Sequence, residues 1–149
     1  MFQTPEAARM MSLLSLLLLG IALPATQAID YRKCQASQIL KEHGMDKVIP
    51  LPELVCTMFH ISGLSTQAEV NNHSNKEYGI FQISNNGWCA EKQEDVANSV
   101  CGILCSKFLD DDITDDIECA KKILQLPEGL GYWKAHETFC LEDLDQWRC

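Results

Sequence analysis

The segment Lys107 to Glu118 reads KFLDDDITDDIE and crowds Asp110, Asp111, Asp112, Asp115, Asp116 and Glu118 into one short stretch. Carboxylates this close repel one another, and such a block is ordinarily a solvated tail. Here it lies between Cys105 and Cys119 and runs straight into an apolar helical pattern, so the charges are held together instead of splaying apart. A divalent cation relieves that repulsion. Calcium takes oxygen ligands only, about 6 to 8 of them at about 2.3 to 2.6 Å, which is the chemistry this segment offers. The competing reading is an acidic helix start without metal, since the positive end of a helix dipole also tolerates carboxylates at Asp115 and Asp116. The D-x-D-x-D-G order of an EF-hand is missing, so the loop is of another type.

The chain that must hold this loop has 149 residues, 8 cysteines, 21 acidic against 12 basic side chains and a net charge of −9. That length is enough for about one domain. The acidic balance opposes nucleic acid as a partner, because phosphate affinity comes from Lys and Arg. Met10 to Leu23 is an apolar run followed by Pro24 and the small-residue stretch Ala25-Thr26-Gln27-Ala28. It reads as a signal peptide over 1–28, leaving a domain over 29–149, and it is too short for a spanning helix, so stable membrane insertion is not expected. The mature chain is expected to be secreted and, when free, monomeric. Cleavage after Ala28 removes only Glu6 and Arg9 among charged side chains, so the acidity belongs to the mature protein.

All the cysteines, at 34, 56, 89, 101, 105, 119, 140 and 149, lie beyond that point. Their even number in a secreted chain reads as a disulfide framework, although spacing does not choose the connectivity. A zinc site is disfavoured, since no C-x-x-C and no matching His pair occur. Two helices begin the domain: Lys33 to His43, stopped at Gly44, and a second opened by Pro50-Leu51-Pro52 and stopped at Gly63. Between Thr66 and Trp88 the pattern changes, and the β-branched and aromatic content of Tyr78 to Ile83 predicts a short strand or hairpin there. Cys89 to Cys105 reads as loop with a short helix, and Asp115 to Leu126 returns to helical spacing before Pro127. Tyr132, Trp133, Phe139 and Trp147 lie in a tail stapled by two cysteines.

The cysteine spacing, the loop CSKFLDDDITDDI-x-CAKKI, the stretch PEL-x-CTMFH, the segment EYGIFQIS followed by WC, and the terminal QW-x-C together resemble the c-type lysozyme/α-lactalbumin family, on its α-lactalbumin side. The likeness spans essentially the whole mature chain. It implies an α+β fold with a helical lobe and a small antiparallel β-lobe flanking a cleft. It also implies four disulfides, Cys34 to Cys149, Cys56 to Cys140, Cys89 to Cys105 and Cys101 to Cys119. For the acidic loop it implies Ca2+ held by backbone carbonyls of Lys107 and Asp112 and by carboxylates of Asp110, Asp115 and Asp116. Asp111 and Glu118 then only add to the field. About one extra residue is needed near Pro127 to Gly131, which bears on the segment Tyr132 to Phe139.

Glycoside hydrolysis by a lysozyme needs two carboxyl groups flanking the bond, one of them a proton donor. On the resemblance the donor falls at Ile61, which has no proton to transfer, and the second carboxylate at Glu77. No catalytic residue is therefore expected, and the rival role of a calcium-binding lysozyme acting on bacterial cell wall is disfavoured. A bypass would have to recruit His60 or Glu69. The α-lactalbumin branch instead serves as the regulatory subunit of lactose synthase, binding a β-1,4-galactosyltransferase and turning its acceptor from N-acetylglucosamine to glucose. Its partner-contact positions fall at Phe59, His60, Phe139, Gln146 and Trp147, with Phe139 replacing a usual Leu. Phe and Trp suit interface anchors, and His60, expected beside Ile61 in the cleft, is the residue for a sugar hydroxyl. Asn72-His73-Ser74 fits an N-glycosylation sequon in a polar loop.

Overall fold

The computed structural model describes residues 30–149, so the expected signal peptide lies outside the described residues. The first helix, α1 (Lys33–Glu42), opens with the Gln35 side chain accepting the Arg32 N–H at 3.0 Å and closes before Gly44 in the left-handed region at φ 75°. Helix α2 (Leu51–Ser62) starts with Pro52 in its first turn, where a missing N–H costs nothing, and stops at Gly63 with φ 63°. Leu54 to Met58 of α2 are all buried, so this helix is the core's axis, and its last turn emerges with Phe59 and His60 exposed.

A small sheet follows in the order β1 (Glu69–Asn72), β2 (Asn75–Tyr78), β3 (Ile83–Ser84), all antiparallel, with Asn72 opposite Asn75 and Tyr78 opposite both Glu69 and Ile83. Of the short strand or hairpin expected over Tyr78 to Ile83, the structure forms the hairpin: Tyr78 ends β2, Ile83 begins β3, and Gly79 to Gln82 form the turn between them. The physical reason is burial. Ile80 and Phe81 are fully buried and enter the core as plugs, while positive φ at Gly79 (78°) and Gln82 (48°) folds the backbone back. The Gln82 amide fixes the turn by donating to the carbonyls of Gly79 at 2.8 Å and Ala68 at 2.9 Å. Only Gly79 allows it, because a Cβ there would sit 2.2 Å from the Phe108 carbonyl oxygen and 2.8 Å from an Asp116 carboxylate oxygen.

A 3-10 turn over Gln93–Asn98 occupies the cysteine-rich stretch, and a second, Cys105–Leu109, leads through the acidic loop into α3 (Thr114–Leu124). A 3-10 turn over Gly129–Tyr132 then carries the chain to the short α4 (Lys134–Phe139) and a last 3-10 turn at Asp145–Trp147. Disulfides join Cys34 to Cys149, Cys56 to Cys140, Cys89 to Cys105 and Cys101 to Cys119. One continuous core runs from Leu40 and Met58 through Phe81 and Phe108 to Ile117, Ile123 and Trp133. The indole of Trp133 donates to the Phe81 carbonyl at 2.6 Å, which pins the tail to the buried turn. Among the described residues no helix is long and apolar enough to cross a membrane.

Candidate metal centre, cleft and aromatic face

The acidic loop is braced at both ends, by Cys89–Cys105 before it and Cys101–Cys119 after it. Within it the Asp112 N–H donates to the Asp110 carboxylate at 3.1 Å and the Thr114 N–H to the Asp112 carboxylate at 3.0 Å. Hydrogen bonds from the side chain and backbone of Thr114 hold the Asp112 carboxyl below its usual range. Lys107, Asp110, Asp112 and Asp115 are exposed, whereas Asp116, in the first turn of α3, is fully buried. Neither Asp116 carboxylate oxygen has a hydrogen-bond partner, and Asp111 also buries one unpartnered oxygen. Burial pushes the Asp116 carboxyl up to about 8; its own amide N–H works against that, and the charges of Asp110, Asp115 and Asp112 add to it. Tyr31 packs into the same field, its phenol raised first by burial and then by Asp111, Asp112 and Asp116.

A buried carboxyl without donors is costly as an anion, because nothing replaces its lost water. A hard divalent cation supplies the missing charge, and the surrounding carboxylates and carbonyls are the oxygen donors such a cation prefers. The residues present fit calcium on that ground. Gly79 belongs to this construction although the sequence reading did not include it: its bare Cα makes room for the Asp116 carboxylate and the Phe108 carbonyl. The signal was there as a glycine inside an apolar run, which marks close backbone approach. The loop carboxylates are not drawn into a cluster with oxygens within 4.8 Å of one another; that closeness is met among the described residues by Cys56, His60 and Cys140, whose sulfurs are spent on a disulfide.

The cleft between the lobes, of about 470 Å³, is lined by Ile61, Asn72, Asn75, Glu77, Gln82, Ser84, Asn86, Trp88, Tyr132, Trp133, Lys134 and Ala135. Glu77 is the single carboxyl of that lining, half-buried, with its pKa raised by burial. Ile61 stands at the cleft and offers no proton. Neither Glu69 nor His60 is among the lining residues, so the bypass through them has no footing in the cleft. Tyr132 accepts the Ser84 N–H at 3.2 Å, and burial raises its phenol. The expected placement of His60 in the cleft is thus corrected. At the end of α2 the side chains of positions 60 and 61 diverge by about 100° around the helix axis, so Ile61 takes the cleft and His60 the neighbouring face.

On that face the His60 ring lies parallel to Phe139, with centroids 4.3 Å apart, and edge-on to Trp147 at 6.0 Å. Phe59 meets Trp147 at 5.1 Å and His60 at 5.4 Å. Phe59 and Phe139 are 46% and 55% exposed, while Trp147 is buried against Phe59 and His60. Gln146, exposed beside Trp147, anchors the rim through its carbonyl, which accepts the Lys33 ammonium. Four aromatic rings from the end of α2, the end of α4 and the last turn therefore make one solvent-facing patch. The bridge Cys56–Cys140 ties the first two of these elements together.

The fold, the loop and the missing second carboxyl can be set beside known proteins. Residues 29–149 match the C-type lysozyme/alpha-lactalbumin family. The chain belongs to that family. It is 99% identical over 140 residues to an alpha-lactalbumin of Notamacropus eugenii, covering 94% of this chain and all of that one. Against an alpha-lactalbumin of Trichosurus vulpecula the identity is 76% with the same coverage. A solved calcium-binding lysozyme from equine milk superimposes with a TM-score of 0.72 at 32% identity, covering 80% of this chain and 95% of that one. A calcium-binding lysozyme thus shares this fold.

Proposed function

We infer that this chain is the non-catalytic regulatory subunit of lactose synthase, a secreted milk protein that binds a β-1,4-galactosyltransferase and turns its acceptor from N-acetylglucosamine to glucose. The observation that carries the reading is the exposed face of Phe59, His60 and Phe139 over Trp147, placed outside a cleft that holds Glu77 alone. Exposed, rigid aromatic rings clustered around a buried tryptophan suit an interface anchor and are poorly explained as core packing. Phe59 and Phe139 supply apolar contact to the transferase, Gln146 a polar rim, and Trp147 a buried support for Phe59 and His60. His60, exposed at the end of α2 with its flat side stacked on Phe139, donates or accepts a hydrogen bond at a hydroxyl of glucose held in the shared acceptor site.

Chemistry remains with the transferase; this chain contributes binding energy to a weak acceptor and so lowers the apparent KM for glucose. Calcium, held by the carbonyls of Lys107 and Asp112 and the carboxylates of Asp110, Asp115 and Asp116, neutralises the loop and keeps α3 packed. The encounter takes place in the Golgi lumen on the way to secretion, with this protein monomeric until it docks. Asn72, at the exposed hairpin end, is the acceptor of an N-linked glycan. The deciding assay is galactose transfer to glucose by purified β-1,4-galactosyltransferase at low glucose, with and without the calcium-loaded protein. Stimulation is expected. A folded, calcium-loaded sample that leaves the rate unchanged overturns the reading.

A further inference from the structure

We propose that the hollow beside the aromatic face seats a lysine or arginine side chain of the galactosyltransferase, with Leu141, Glu137 and Glu142 as further partner-contact residues. This rests on the lactose synthase reading above and adds to it a second anchor of stated chemistry. Leu141 and Phe139, 61% and 55% exposed, are the most exposed large apolar side chains among the described residues. Together they wall one hollow of about 370 Å³, completed by Glu137, Thr138 and Glu142. The hollow is continuous with the aromatic face, since the Phe139 ring that walls it also stacks on His60.

Leu141 is not on a free loop. It follows Cys140, which is buried and bonded to Cys56 on α2, the helix that presents Phe59 and His60. An apolar side chain next to a bridged backbone position loses less freedom on docking than one on a free loop, so its burial is available to binding. The lining chooses the occupant. A mostly polar lining in which Phe139 and Leu141 stand with Glu137 and Glu142 matches a lysine or arginine, whose aliphatic stem meets the two apolar side chains and whose cationic head meets the carboxylates. A purely apolar knob would strip those carboxylates of water without replacing it, and an acidic one would be repelled. Among the described residues neither Glu137 nor Glu142 has a cation within ion-pair distance, so both are available to a partner. The net charge of −9 favours encounter with a basic surface in the same sense.

The test titrates the full, calcium-loaded mature chain into the transferase assay and reads the half-maximal stimulating concentration at several salt concentrations. Leu141→Ser, checked for an unchanged melting temperature, raises that concentration about fivefold, the loss expected of a flanking apolar anchor, and leaves the apparent KM for glucose at saturation unchanged. The double variant Glu137→Gln with Glu142→Gln raises it about threefold to tenfold at low salt and flattens its salt dependence, because charge-assisted encounter is screened by salt. Phe59→Ala serves as the reference for the aromatic face. If Phe59→Ala weakens stimulation while Leu141→Ser and the double variant stay within about twofold of the parent, this proposal is overturned and the aromatic face stands. If the parent protein does not stimulate at all, both fall.

Discussion

Asp116 makes a sharp prediction about the calcium-free protein. Its carboxyl, ordinarily near 3.9, is pushed up to about 8 in the folded chain by burial first and by the neighbouring carboxylates after it. The folded state therefore holds a proton that the unfolded state releases. For an acid raised in this way, the stabilisation is fully present below the unfolded value and is lost as pH rises through the folded one. Between about pH 5 and about pH 9 the loss from this one group is about 4 kcal/mol. For a domain of this size that corresponds to a fall of about 10 to 20 °C in Tm. The perturbation is Asp116→Asn, which keeps the shape and removes the titration. The amide costs stability at every pH because its buried polar atoms lack partners, so the readout is the slope and not the offset. Circular-dichroism melts in EDTA across that pH range should fall more steeply for the parent than for the variant, and saturating calcium should flatten the parent's slope, since a bound cation favours the ionised carboxylate. Parallel pH profiles for the two calcium-free proteins would refute the reasoning.

Three further outcomes follow from single contacts. Gly79→Ala drives a methyl group to 2.2 Å from the Phe108 carbonyl oxygen and strains a positive φ; a loss on the order of 3 kcal/mol is expected in denaturant unfolding, together with weaker calcium binding by titration calorimetry, and an unchanged midpoint would contradict the close approach. Trp133→Phe removes the 2.6 Å bond to the Phe81 carbonyl and leaves that buried acceptor bare, so a loss of about 1 to 3 kcal/mol is expected, read as a shifted urea midpoint. His60→Ala should raise the apparent KM for glucose more than it raises the concentration of this protein needed for half-maximal stimulation; equal effects on both would assign His60 to docking alone.

Much of this molecule is written locally. The helix stops at Gly44 and Gly63 and the proline-opened α2 are decided by residues within one turn of the boundary, and they stand where their residue types put them. The crowding of Asp110 to Asp116 is equally a property of adjacent residues. Over Tyr78 to Ile83 the sequence left strand and hairpin undecided, because β-propensity reports a side chain's fit to a half-buried pleated surface, whereas Ile80 and Phe81 are fully enclosed by elements distant in sequence. Burial of that degree favours a turn that drives the Ile80 chain and the Phe81 ring into the core, and Gly79 and the Gln82 amide make it feasible.

The candidate sites divide along the same line. Residue types alone determined that carboxylates would crowd one short segment and that position 61 could not donate a proton. Tertiary structure alone decided which carboxyl is buried, since the Asp116 carboxylate packs against Gly79, distant in sequence. It also separated His60 from Ile61, sending one to the aromatic face and the other to the cleft. The gathering of Phe59 and His60 with Phe139 and Trp147 likewise depends on the packing of α2 against the tail and on the bridge Cys56–Cys140. Charge, capping and side-chain chemistry act over a few residues and are carried by the chain itself. Burial, which sets a carboxyl's pKa and makes an exposed ring a docking surface, is a property of neighbours that only the folded chain brings together.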